Sequence, residues 1–186
     1  MLNNQSYWFA ARTRANQEIN MRESLKKLEV IHFLPTHFVT RIYTDRRKRV
    51  EVPLVGNLIF VKCTKLEAFS LLKNYSLKLS YIRDITTGSL LMVPDIQMER
   101  FMFAVNTAPE LLKACNTPFV AGDRVRVVKG DFTGFEGELV RLEGKSHVIL
   151  RIPQILTISI KIPMDHLQKI PSSNNDTPNY RKPFTK

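Results

Sequence analysis

The sequence predicts an α+β sandwich of the ferredoxin-like kind over residues 5–106, followed by a small all-β barrel over residues 118–171. The first observation is the order of periodicities in the first half: strand, helix, strand pair, helix, strand, helix. That order is typical of helices covering one face of an antiparallel sheet, whose other face needs a partner or stays partly open. The second observation is a run of short β-type segments and glycine turns after residue 120. Two prolines and a mixed composition predict a linker at 107–117.

The elements of the first half follow from hydrophobic periodicity. In chain order the prediction is a strand at 7–11, a helix at 15–29, a strand pair at 36–43 and 50–54, a strand at 58–63, a short helix at 66–72, a strand at 79–85 and a last helix entered at Pro94. In that last helix, Met98, Phe101, Met102 and Val105 recur at i, i+3, i+4 and i+7. A stripe of this kind is more often core than binding groove, so we expect it to be buried.

A dense basic segment, Asp45-Arg46-Arg47-Lys48-Arg49, separates the strand pair and is predicted to be the tip of a hairpin. Four consecutive cations repel one another unless solvent or an anion surrounds them. Two interpretations therefore stay open, a solvated turn and a contact with nucleic-acid phosphates.

The second half is predicted to be a barrel because Val125 and Val127 alternate with arginines, and glycines at 130, 134 and 137 suit tight bends between strands. Of the two turn aromatics, Phe132 and Phe135, one is expected to plug the barrel and the other to face outward. Further strands are predicted at 147–152, 155–161 and 166–170. Residues 172–186 have almost no apolar periodicity and are predicted to be a disordered tail.

Composition and charge limit the classes of function. The chain has 186 residues and a formal net charge of +11, which favours contact with polyanions. Its two cysteines and four histidines match no metal-ligand spacing, and it has no nucleotide-binding, zinc-protease or serine-hydrolase motif. We therefore expect a protein without metal or other cofactor that is not an enzyme. No signal-peptide pattern and no run near the roughly 18 apolar residues of a membrane span are present, which predicts a cytoplasmic protein without membrane contact.

Residues 121–140, AGDRVRVVKGDFTGFEGELV, resemble the KOW motif of small SH3-like barrels. The matching residues are Gly122, Asp123, Val125, Val127, Gly130, Phe132 and Gly137. KOW barrels occur in ribosomal proteins and in transcription elongation factors, so this motif alone does not choose between the two.

The span 7–171 resembles a NusG-type transcription elongation factor, which consists of an N-terminal NGN domain, a linker and a KOW barrel. The segments that carry the resemblance are YWFAA at 7–11 with Glu18, Leu34-Pro35-Thr36, PLVGNLIFV at 53–61 and Val93-Pro94. Within the family, the length and the arginine-rich hairpin most resemble specialised paralogues such as UpxY-type regulators of surface-polysaccharide operons. The resemblance implies a bacterial, monomeric, operon-specific antitermination factor.

The resemblance also implies how such a protein acts. An apolar depression on the NGN domain docks on the clamp helices of RNA polymerase, which holds the clamp closed and suppresses pausing and termination. The matching polymerase-binding positions are Leu58, Phe60, Tyr81 and Ile82. An exposed aromatic and aliphatic patch suits such an interface, and the alternative is that Phe60 and Ile82 fill the core. Gly56-Asn57 stands where the family has Pro-Gly, and Leu58 replaces its tyrosine, so the turn can form but the aromatic anchor is lost.

In the specialised paralogues, the start of the first helix faces the exposed non-template DNA strand. Arginine at this place pairs with phosphate or reads a base edge, and the alternative for each residue is a solubilising surface charge. With the hairpin tip included, the ligand is non-template DNA or nascent RNA. The predicted nucleic-acid-binding residues are Arg12, Arg14, Gln17, Arg46, Arg47, Lys48 and Arg49.

In this family the KOW barrel recruits a second partner, which is the termination factor Rho, a ribosomal protein or another factor. Phe135 matches the position that projects from the barrel loop, and Phe132 matches the more usual loop aromatic, so both are predicted partner contacts. The competing interpretation is an RNA-binding or ribosome-associated KOW protein. Such a protein would not need the NGN-like run at 53–61.

Overall fold

The structure, a computed structural model, describes residues 5–75, 77–115, 122–142 and 144–170. The predicted tail at 172–186 lies outside these residues. Thirteen strands and three helices are assigned within them. The strands are β1 Tyr7–Arg12, β2 Ile31–Phe33, β3 Thr36–Ile42, β4 Arg47–Pro53, β5 Leu58–Cys63, β6 Ser80–Tyr81, β7 Met92–Val93, β8 Leu112–Cys115, β9 Arg124–Val127, β10 Glu136–Leu142, β11 Lys145–Ile152, β12 Leu156–Lys161 and β13 Leu167–Lys169. The helices are α1 Glu18–Lys27, α2 Lys65–Lys73 and α3 Asp95–Thr107, with short 3-10 helices at Pro109–Leu111 and Met164–His166.

The first sheet confirms the ferredoxin-like prediction. Its antiparallel strand order is β2-β5-β1-β6, and β7 also pairs with β1. Two predicted strands, at 36–43 and 50–54, are not part of this sheet. They form a separate two-stranded hairpin, β3–β4, and the second strand of the sheet is the short Ile31–Phe33 instead. Pro35 redirects the chain between β2 and β3, and its carbonyl accepts the N–H of Leu54 at 2.8 Å, which closes the base of the hairpin.

Helices cover both faces of the first sheet, whereas the sequence predicted cover on one face only. On one face, Phe9 and Ile59 of the strands pack with Leu25 of α1 and Leu71 of α2. On the other face, Trp8, Ala10, Leu58 and Phe60 pack with α3 through Met98 and Phe101. The physical reason is strand alternation: β5 is apolar at four successive positions, so both of its faces must be buried.

The turn at Gly56-Asn57 forms as expected from the tolerance of asparagine for positive φ. Asn57 has φ +59°, and its N–H donates to the Glu18 carboxylate at 2.8 Å. Glu18 is itself buried at the start of α1, so its carboxylate ties that helix to the entrance of β5.

The second half is a six-stranded antiparallel sheet with the order β13-β9-β10-β11-β12-β8, which confirms the all-β prediction. Gly137 is required where β10 crosses β11, because a Cβ there would lie 2.5 Å from Val148 Cγ1 and 2.7 Å from the carbonyl oxygen of Ile149.

The predicted linker at 107–117 differs from the structure over its described part. Helix α3 continues to Thr107, and Leu112–Cys115 form β8, the edge strand that pairs with β12. The burial of Leu112 and the free edge of β12 explain why this segment is ordered into the second sheet. No helix within the described residues is long and apolar enough to span a membrane.

Candidate functional site

The β3–β4 hairpin presents a basic surface. Arg46, Arg47, Lys48 and Arg49 are all exposed, and Arg41 lies opposite Lys48 on the neighbouring strand. The tip is closed by the N–H of Tyr43, which donates to the carbonyl of Arg46 at 2.8 Å. Within the described residues, the only ion pair of these cations joins Arg46 to Asp45 at 4.0 Å, with both side chains more than 70% exposed. We call the β3–β4 hairpin the arm. It carries the predicted cations with almost no neutralising partner among the described residues.

The base of the hairpin is fixed to α1 by an ion pair that sequence reasoning did not identify. Arg22 donates from Nη1 and Nη2 to the two carboxylate oxygens of Glu51, at 2.5 and 3.0 Å, and Thr36 Oγ1 donates to Glu51 Oε1 at 2.7 Å. These hydrogen bonds, that of Arg22 above all, hold the pKa of Glu51 below its ordinary value. Bidentate geometry of this kind fixes orientation as well as adding energy, so the arm has a defined direction at its base.

Replacing Arg22 by glutamine should lower the free energy of unfolding by about 1 kcal/mol at neutral pH, because both partners are only about one quarter exposed. A carboxyl group with a lowered pKa stabilises the fold above its unfolded value of about 4.3 and loses that contribution as the pH falls. The difference between wild type and Arg22→Gln should therefore shrink as the pH falls from 6 to 3. Urea unfolding across this range measures it, with the exposed Lys78→Gln as the control variant. A difference that stays constant with pH would contradict the role of the pair.

The residues predicted at the start of the first helix lie on the turn between β1 and α1. Arg12, Arg14 and Gln17 are all exposed. Gln17 Oε1 accepts from the Asn20 side chain at 2.8 Å, and within the described residues no ion pair of Arg12 or Arg14 is found. The turn and the hairpin are separate elements, and α1 connects them because its Arg22 holds the hairpin base.

The four predicted polymerase-binding residues do not form one exposed patch. Leu58 and Phe60 are 1% and 0% exposed, and the Phe60 ring centroid lies 5.5 Å from that of Phe101 in α3. Ile82 is half-buried against the same cluster. Tyr81 belongs to the opposite face, beside Phe9, and burial raises the pKa of its hydroxyl. The expectation of exposure was wrong for Leu58 and Phe60, because α3 covers their face, and for Tyr81, which is buried on the opposite face of the sheet.

An exposed apolar strip on the outer side of α3 was missed. Ile96 and Phe103 are 55% and 44% exposed, and Met92 in the preceding strand is 42% exposed. The two helical residues are seven apart, so they lie on one line of the helix, opposite the buried Met98 and Phe101. That i, i+7 spacing was visible in the sequence as a second apolar line beside the core stripe. Met92 pairs with Phe9 and so lies on the other face of the sheet, and we call Ile96 and Phe103 the α3 strip.

The two aromatics of the second half are both buried, so the expected outward projection of Phe135 was wrong. Phe132 and Phe135 are 4% and 5% exposed, with ring centroids 6.2 Å apart. Phe132 also contacts Phe103 of α3, with centroids 6.4 Å apart at an interplanar angle of 85°. The turn aromatics are buried because they pack against each other and against the first half.

The two halves share one continuous apolar cluster that runs from Trp8 and Phe60 through α3 to the strands of the second sheet. A polar contact lies at a second place, where Gln154 Oε1 accepts the N–H of Ile85 at 3.0 Å and Gln154 Nε2 donates to Asp84 at 2.9 Å. Close to the aromatic contact, three arginines surround Glu136, and the hydrogen bond from Arg126 is the main reason that its pKa lies below the ordinary value.

The described residues do not cluster metal-ligating side chains. They contain no group of three or more histidine, cysteine or acidic side chains that could hold a metal ion. Burial raises the pKa of the Cys63 thiol to about 12, which keeps it neutral and unreactive. The exposed surfaces that stand out are a basic one on the hairpin and an apolar one on α3.

Comparison with known proteins agrees with this arrangement. The family model described as "Transcription termination factor nusG" matches residues 6–102. A structure described as "Domain interaction in Thermotoga maritima NusG" is 17% identical, with a TM-score of 0.53, over 90% of this chain and 98% of that chain, which shows a shared fold. A structure of an MjSpt4:Spt5 complex in conformation B is 18% identical over 89% of this chain and 97% of that chain, with a TM-score of 0.25. No curated protein is significantly similar to the chain. Because the family model matches more than half of its residues, the chain belongs to the NusG family.

Proposed function

We propose that this chain is a transcription elongation factor that binds RNA polymerase through its first half and suppresses pausing and termination. The observation that carries the proposal is the family match over residues 6–102, a span that includes the basic hairpin and Ile96 of the α3 strip. One surface can therefore hold protein while a second approaches nucleic acid. In keeping with a specialised factor, the exposed arginines of the β1–α1 turn add a further basic site for operon-specific contact with the non-template strand.

The α3 strip is the proposed polymerase contact. It combines exposed apolar side chains with polar neighbours, Glu99 and Arg100, which is the composition of a protein interface. Leu58, Phe60 and Ile82 lie in the cluster on which α3 packs. Their proposed role is to fix the position of the α3 strip. The proposed partner is still the clamp helices of RNA polymerase.

The second half is proposed to recruit a second factor, Rho or a ribosomal protein. Since Phe132 and Phe135 are buried, the contact would use other side chains of this half. Val128 and Met164 are the described apolar residues of the second sheet region that are exposed, at 39% and 50%.

The test is a pull-down of core RNA polymerase, compared with ribosomal subunits, by the full chain. Exchanging Ile96 for serine should weaken polymerase binding by about tenfold, since an interface anchor contributes on the order of 1–2 kcal/mol. The matched control is Leu66→Ser on α2, which removes an equally exposed apolar side chain from another surface. Unchanged polymerase binding by Ile96→Ser would exclude the α3 strip. Capture of ribosomal subunits in place of polymerase would favour the ribosome-associated alternative.

A further inference from the structure

The outer face of the β3–β4 hairpin combines an aromatic ring with cations. Side chains alternate between the two faces of a strand, so the register decides which residues share a face. The outer face consists of Phe38 opposite Glu51, Thr40 opposite Arg49 and Ile42 opposite Arg47. The residues of the other face near the base, such as Val39 and Val50, are half-buried, whereas the outer face is exposed from Phe38 to Ile42 and at Arg47 and Arg49.

This outer face exposes more apolar surface than a solvated hairpin needs. Phe38 is 57% exposed and Ile42 is 75% exposed, and Tyr43 at the tip is 46% exposed. The guanidinium of Arg49 lies over the Phe38 ring, with its carbon 4.5 Å from the ring centroid. The cation–π contact leaves a flat, positively charged stacking surface on the arm.

The charge of the arm selects the class of ligand. Residues 41–49 contain five cations and one acid. The remaining acid of the outer face, Glu51, is already bound by Arg22 and Thr36 at the base. An acidic protein surface would leave the Phe38 ring without a matched partner, and an aliphatic surface would leave the Arg49 guanidinium without one. A polyanion with planar groups satisfies both.

We propose that the outer face of the hairpin binds single-stranded nucleic acid, with a base stacked on the Phe38–Arg49 pair and the strand's phosphates at Arg47 and, at the tip, Arg46. Bases of a single strand are free to stack on aromatic rings and on guanidinium planes, whereas the bases of a duplex are not. Seven residues of strand span about 20 Å, which gives the arm room for several nucleotides. The inference rests on the proposed function for the presence of nucleic acid, and it adds the mode of recognition, which is base stacking on the Phe38–Arg49 pair.

The experiment uses the full chain without polymerase, so its outcome is independent of the polymerase pull-down. Fluorescence anisotropy measures binding to a labelled mixed-sequence 12-nucleotide DNA, the RNA of the same sequence and the corresponding DNA duplex, over a series of salt concentrations. The variants are Phe38→Ala, Phe38→Tyr, which keeps the ring, and Arg47→Gln. Phe69→Ala on α2 is the matched control, because Phe69 is also an aromatic about half exposed.

We expect single strands to bind more tightly than the duplex. Phe38→Ala should weaken single-strand binding by about tenfold without changing the salt dependence, and Phe38→Tyr and Phe69→Ala should bind as wild type does. Arg47→Gln should lower the slope of log affinity against log salt by about 0.7, the value for one phosphate contact on a single strand. A preference for DNA or for RNA then identifies which single strand the arm selects. Equal affinity for strand and duplex, or unchanged binding by Phe38→Ala, would overturn the proposal.

Discussion

Replacing Phe60 by alanine is expected to lower the free energy of unfolding by about 3–5 kcal/mol, which is a large part of the stability of a domain of this size. The side chain is fully buried, and its ring packs edge-on against Phe101 at a centroid distance of 5.5 Å. Removing it deletes that contact and leaves a cavity between β5 and α3, because neighbouring strands cannot move inward to fill it. Chemical denaturation followed by circular dichroism measures the loss.

The matched control for this prediction is Phe69→Ala, which removes the same side chain from a half-exposed position on α2 and should change stability by less than about 1 kcal/mol. Polymerase binding by Phe60→Ala should fall only to the extent that the protein is unfolded. If the variant were as stable as wild type and had lost polymerase binding, Phe60 would be a direct contact and its assignment to the core would be incorrect.

Neutralising Arg46, Arg47, Lys48 and Arg49 together, as glutamine, is expected to weaken binding to an elongation complex that contains nucleic acid by on the order of 100-fold at low salt. All four side chains are exposed on the arm, and the only ion pair of the four in the described residues is the loose one between Arg46 and Asp45. The slope of log affinity against log salt should fall by about one unit for each phosphate contact removed. Binding to core polymerase without nucleic acid should change much less.

A control variant that neutralises four cations elsewhere on the chain distinguishes an effect of the hairpin contacts from an effect of the net charge. The exposed lysines available for it are Lys26, Lys27, Lys65 and Lys73. Equal weakening by both quadruple variants would mean that the net charge of the chain, and not the hairpin, governs affinity. Equal weakening with and without nucleic acid would place the tip against acidic groups of polymerase. No effect of the hairpin variant would favour the solvated turn.

Much of the architecture could be predicted from the sequence because it depends on local patterns. The alternation of Val125 and Val127 with arginines, the amphipathic stripe of α3 and the glycine required at 137 each specify an element or a turn within a few residues of chain. The order of those elements was enough to predict the ferredoxin-like sheet and the all-β second half. The exposure of the cations at 46–49 was also predicted, since four adjacent cations cannot be buried without partners, but only Arg46 lies at the tip because Arg47 to Arg49 belong to β4.

The rest depended on which distant surfaces meet. Local patterns show that Phe60 and Phe135 are apolar, but only the packing of α3 against β5 and against Phe132 shows that both rings are inside. Local patterns likewise do not show that Glu51 fixes the base of the hairpin, because its partner Arg22 lies 29 residues away in the chain. The sequence by itself determined the elements, their order and the exposed charge of the arm, because these follow from backbone preference and solvation at each position. Tertiary structure decided which apolar surfaces stay open, because burial is a property of the pair of surfaces in contact and not of either one alone.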